Sequence, residues 1–239
     1  MPELIREYSP DLVVANGENA AAGFGITPAL AEELLGLGIA ALTSGNHIWD
    51  RKEILSYLAE RPGGRVLRPA NYPAPAPGRG VYIGKTGRGI EYAVINLQGR
   101  VFMPAIDCPF RTADAILQSL AASVKIRLVD IHAEATSEKL ALGWYLDGRV
   151  TAVVGTHTHI PTADERLLPE GAAYITDAGM TGPYDSVIGI EKEAVIQKFL
   201  SQVPVRFEVA KSGTRLCGVL IDADEKSGRA LRVERILRT

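Results

Sequence analysis

The chain has 239 residues, 46% hydrophobic and 23% charged, with a formal net charge of -2; this is globular material with enough apolar content for one sizeable core. The slightly acidic balance, without a Lys/Arg cluster, excludes a basic nucleic-acid-gripping face, and two cysteines exclude a disulfide framework. No apolar run approaches the ~20 residues of a membrane span and no signal-peptide pattern is present, so a cytoplasmic protein is expected, one domain over residues 1–239.

Residues 2–8 have apolar positions at helical spacing but no N-cap ahead of them, and they read as the tail of a helix. Residues 11–16 form a buried-strand run that delivers Gly17-Glu18-Asn19-Ala20 at its end. Thr27 and Pro28 open a helix through Leu35 as N-cap and first helical position. The next strand, 39–43, ends in Ser44-Gly45-Asn46-His47, and Asp50 is placed to cap a helix to about residue 59. A Pro/Gly-rich loop covers 61–78.

Residues 81–83 and 90–97 flank Thr86-Gly87-Arg88-Gly89 like an antiparallel hairpin, which makes the sheet mixed. A helix over 112–122 leads to a strand, 126–131, that brings His132 and Glu134 to its end. After a helix over 137–147 comes the strand 150–154, which runs out into Gly155-Thr156-His157-Thr158-His159. A strand at 172–175, a helix at 191–200 and strands at 206–209, 215–221 and 229–236 complete an α/β pattern with a mixed sheet.

Four strand ends therefore carry Glu18, Asn46 with His47, His132 with Glu134, and His157 with His159. In α/β sheets ligands collect at the carboxyl ends of strands, so these loops are expected to converge on one crevice. The i, i+2 histidines project to one side if the backbone stays extended. Carboxylate, amide oxygen and imidazole together suit Mn, Fe or Zn better than Mg or Ca. Taken singly, each residue has a bland alternative: Glu18 a loop acid, Asn46 and His47 turn residues, Glu134 a solvated acid, Arg100 and Arg111 surface arginines.

In this order, Gly17-Glu18-Asn19, Gly45-Asn46-His47, His132 and Gly155-Thr156-His157-Thr158-His159 resemble the motif series of the calcineurin-like metallophosphoesterases. The longer stretches 16–20, 23–25, 45–49, 130–139 and 176–182 look like its YmdB-type bacterial branch, across nearly the whole chain. The resemblance implies an α/β/β/α sandwich with two divalent or transition metal ions (Fe, Mn or Zn). It implies a phosphodiesterase acting on small phosphodiesters such as 2',3'- or 3',5'-cyclic nucleotides. Position by position, Glu18 resembles the bridging acid, Asn46, His132 and His157 complete one metal, His159 belongs to the other, and His47 resembles the catalytic histidine.

One departure stands out. The family begins with a strand ending in Gly-Asp, whose Asp holds the metal shared with the His159 position; neither precedes the opening helix here. The expectation is a shortened N-terminus with one metal site incomplete, and Asp177 is left as structural. The alternative is a catalytically impaired regulatory or metal/nucleotide-binding protein of the same fold. The expected partner is a small-molecule substrate, with neither stable nucleic-acid binding nor a membrane; self-association stays open.

Overall fold

The structure, a computed structural model, describes residues 2–61 and 63–239; Pro62, in the expected 61–78 loop, lies outside the described residues. Helix α1 (Pro2–Tyr8) precedes a small parallel sheet of β1 (Val14–Asn16) and β2 (Ala41–Thr43), joined through α2 (Pro28–Gly36). The Thr27 side chain accepts a hydrogen bond from the Leu30 amide, and Pro28 sits where a helix needs no N–H. A 3-10 turn over Asn46–Trp49 leads into α3 (Glu53–Glu60).

Next come β3 (Val81–Lys85), β4 (Glu91–Gln98), α4 (Pro109–Ser119), β5 (Ile126–His132), α5 (Thr136–Leu146), β6 (Ala152–Thr156), β7 (Arg166–Leu167) and β8 (Ala173–Ile175). Their strands make one six-stranded mixed sheet in the order β3-β4-β5-β6-β8-β7, parallel at its centre, with antiparallel β3 and β7 at the edges. The chain ends in β9 (Gly182–Pro183), α6 (Lys192–Ser201), β10 (Thr214–Ala223) and β11 (Ala230–Arg238), the three strands forming a third sheet.

The two faces of the large sheet differ. Ile95 and Leu97 of β4, Val129 and Ile131 of β5 and Val153 of β6 point to one side, where Ala113 of α4 and Leu142 and Leu146 of α5 cover them. At the strand ends the other side is polar: Asn96 lies beside Asp130, Gln98 beside His132, and His132 beside Thr156. These side chains meet the small sheet. The Asn96 amide accepts from Ser44 N at 2.9 Å and donates to Ser44 O at 3.0 Å, Asn16 Nδ2 donates to Asp130 Oδ2 at 3.1 Å, and the Thr43 hydroxyl donates to Asp130. Two sheets are thus joined through a hydrogen-bonded polar seam, where each partner lost costs about 1–3 kcal/mol.

The mixed sheet and the hairpin match the sequence expectation; several boundaries do not. Pro109 at the first position starts α4 three residues early. Residues 206–209 form no strand; Val209 makes only an isolated bridge to Ile190. Asp50 does not cap α3, whose N-cap is Lys52 without a side-chain bond; its carboxylate is engaged by His47 instead. Among the described residues no helix is long and apolar enough to cross a membrane.

Candidate metal centre

Residues from both sides of the seam meet at its open end. Glu18, in the loop after β1, is 1% exposed; its backbone N–H donates to Asn16 Oδ1 and its Oε1 accepts from the His47 amide at 2.7 Å. Its Oε2 lies 2.9 Å from Nε2 of His132, the last residue of β5. Burial pushes the Glu18 carboxyl up, but the His132 charge and the hydrogen bonds from His132 and the His47 amide together hold it below the ordinary value.

The tautomer of His132 follows from what stands behind it. Thr156 Oγ1 donates to Asp130 Oδ1 at 2.7 Å, so it is free to accept from His132 Nδ1, 3.0 Å away. With one proton on Nδ1, Nε2 is the nitrogen that faces Glu18 Oε2, Asn46 Oδ1 at 3.1 Å and His157 Nδ1 at 3.0 Å. The other nitrogen of His157 is 3.1 Å from Glu134 Oε2, which fixes its proton there. Burial first, and the neighbouring His132 second, pull His157 down to about 4, so it is neutral at pH 7.

Four potential ligand atoms, from Glu18, Asn46, His132 and His157, therefore crowd one point. The donor atoms of Glu18, His132 and His157 all lie within 4.8 Å of one another. Contacts near 3 Å are the spacing between neighbouring ligands of an ion with bonds of roughly 2.1 Å. The donor set thus fits a transition metal ion, and its nitrogen content favours Mn, Fe or Zn over Mg or Ca. Glycine is required at 45, because a Cβ there would lie 2.1 Å from His132 Nε2.

Extended backbone, the premise for aiming both histidines of the His157/His159 pair at one point, does not hold. His157 has φ 97° and His159 φ 68°, in the left-handed region rather than extended. His159 donates from Nδ1 to Ile188 O at 3.1 Å and accepts at Nε2 from Asn19 Nδ2 at 3.3 Å, outside the Glu18/His132/His157 group. Between them, Thr158 gives both its N–H (3.0 Å) and its hydroxyl (2.7 Å) to Asp177 Oδ2.

His47 stands at the rim. Its Nδ1 is 2.8 Å from Asp50 Oδ2 and its ring is edge-on to Phe24. Glu134 faces His157. Arg100 and Arg111 line an open cavity of about 690 Å³ with Cys108 and Thr112, which shares no residue with the histidine cluster. The supporting residues Thr43, Asn96, Asp130 and Thr156 were not singled out from the sequence. Their signal was there: polar residues two apart at the ends of apolar strands, Asn96 with Gln98 and Asp130 with His132.

Residues 1–236 match the family described as YmdB-like protein. A 2',3'-cyclic-nucleotide 2'-phosphodiesterase of Bacillus subtilis (strain 168) is 50% identical over 238 residues, covering 99% of this chain and 89% of that protein. A crystal structure of a hypothetical protein from Thermus thermophilus superposes with a TM-score of 0.91 at 41% identity, over 99% of this chain and 90% of the other. The crystal structure of a novel phosphatase from Mycoplasma pneumoniae gives 0.91 at 34% identity, over 99% and 85%.

Proposed function

This chain belongs to the YmdB-like protein family, and from that premise we propose that it is a metal-dependent phosphodiesterase hydrolysing 2',3'-cyclic nucleotides. The observation that carries the metal dependence is the convergence of Glu18, Asn46, His132 and His157, four potential ligand atoms of which the other three lie about 3 Å from His132 Nε2. The substrate class is supported by the named activity of the Bacillus subtilis relative.

These four residues would hold an ion, which would supply positive charge to the phosphoryl oxygens and acidify water. The chain's own groups do the rest. Asp50 accepts the Nδ1 proton of His47, leaving Nε2 of a ring whose side chain is 32% exposed to face the substrate. There a protonated Nε2 stabilises phosphoryl charge or gives its proton to the leaving ribose oxygen. In balance, a water oxygen bonds to phosphorus, the bond from phosphorus to O2' breaks, and O2' takes a proton, leaving a nucleoside 3'-phosphate. Asp130 and Thr156 hold His132, and Lys139 with Asp177 holds the Thr158 turn.

The test is to load purified protein with Mn and incubate it with adenosine 2',3'-cyclic phosphate, separating products by chromatography. Adenosine 3'-phosphate is the expected product. Metal-bound protein that hydrolyses no phosphodiester would overturn the enzyme reading and favour a regulatory protein of the same fold.

A further inference from the structure

Two large apolar side chains stand exposed beside the histidines, on loops that the fold holds firmly. Phe24 is 41% exposed, and its ring centroid lies 5.3 Å from that of His47 at 70° between planes. Its loop contains left-handed Ala22, Gly23 and Gly25, at φ 56°, 89° and 71°. Arg51 straps the loop, donating from Nε to Phe24 O at 3.0 Å and from Nη2 to Ala21 O, while Ala21 N donates to Gly25 O at 2.9 Å.

Ile188 is 49% exposed, and its backbone oxygen receives the His159 Nδ1 proton. It sits at the tip of a turn closed by Val187 and Ile190 in both directions, at 2.9 and 3.0 Å. Its φ is 47°, a strained conformation for a β-branched residue. Such strain clusters at ligand clamps. The two loops adjoin, since a Cβ on Gly23 would touch Val209, the residue bridged to Ile190.

We infer that Phe24 and Ile188 form a nucleobase clamp, the base of the substrate stacking on Phe24 with Ile188 against its other face. This rests on the phosphodiesterase reading above. In a nucleoside 2',3'-cyclic phosphate the base and the reacting phosphorus sit on one ribose ring, so side chains that bind the base must stand next to His47. Phe24 does. An aromatic platform binds any base through its π-face and is sequence-tolerant.

The experiment compares kcat/KM for adenosine 2',3'-cyclic phosphate with that for glycerol 1,2-cyclic phosphate, which has no base, using the Mn-loaded full chain. Phe24→Ala lowers the ratio about tenfold, chiefly through KM, and Phe24→Trp preserves it, stacking being of that order. Ile188→Ala lowers it less. An unchanged ratio in Phe24→Ala overturns the clamp while leaving the enzyme reading intact. If the unaltered protein hydrolyses neither substrate, the enzyme reading fails, and calorimetry still decides the clamp. Weaker binding of adenosine 3'-phosphate by Phe24→Ala, with glycerol 2-phosphate as the base-free control, supports it; equal binding overturns it.

Discussion

Nζ of Lys139 lies 2.9 Å from Oδ2 of Asp177, with the two side chains 0% and 2% exposed. That same carboxylate holds the Thr158 amide and hydroxyl between two left-handed histidines. A buried pair is weak evidence for stability, but breaking one leaves an uncompensated charge. Lys139→Met is therefore expected to cost about 3–5 kcal/mol, read by chemical denaturation of metal-free protein. It should also weaken Mn binding in calorimetry, since the Asp177 carboxylate that holds the Thr158 turn loses its counter-charge. Undiminished stability would mean that Asp177 is neutralised by something other than Lys139.

Metal content follows from the four convergent donors. Protein purified without added chelator is expected to carry about one tightly held transition metal ion per chain, measured by elemental analysis after dialysis. His157→Ala should lose it, while His159→Ala, whose ring is bonded to Asn19 and Ile188, should keep it. Thr156→Val removes the group that fixes the His132 tautomer and should weaken binding by roughly 10- to 100-fold. A metal-free wild-type protein would refute the assignment.

His47 and Asp50 separate turnover from metal binding. His47→Ala is expected to lower kcat by ~10²-fold or more with metal content retained, the usual worth of general acid–base catalysis. Asp50→Asn should lower kcat less and move the pH–rate profile, because the carboxylate that supports the His47 proton is gone. Metal loss in His47→Ala equal to that in His157→Ala would make His47 a ligand.

Asp164 gives a pH test away from the histidines. Burial pushes its carboxyl up, but bonds from the Thr162 hydroxyl at 2.6 Å, the Thr176 amide at 3.2 Å and the Thr176 hydroxyl more than offset this and hold it below its ordinary value. A depressed folded value means a contribution fully present above the unfolded value of about 3.9 and lost as pH falls through the folded one. Asp164→Asn should thus melt lower than wild type at pH 7, with the gap closing below about pH 4. A gap independent of pH would show that the charge contributes nothing.

Much of the site was legible because its residues sit at strand ends, where apolar runs stop at Glu18, His132 and His157. What periodicity could not supply was the backbone beyond those ends. The left-handed φ of His157 and His159 is held through Thr158 by Asp177, 18 residues or more down the chain, which local spacing could not supply. Asp50 looked like a cap because acids open helices; only the folded position of His47 explains its use. Likewise 206–209 has strand composition, but it lies where only an isolated bridge to Ile190 is available.

The polar seam also bears on synthesis. Glu18 and His157 are 139 residues apart (157 − 18), so at roughly 5–20 residues per second the loop after β1 leaves the ribosome about 7–28 s before its partner. Asn96 and Asp130 follow Ser44 and Thr43 by 52 and 87 residues, so for part of that interval neither partner is there to bond. A nascent β1–α2–β2 unit with an apolar seam would be a sticky fragment; one edged with hydroxyls and amides can stay hydrated while it waits. The polar residues that later line the candidate site are thus the part of this unit that water can satisfy before the rest of the chain arrives.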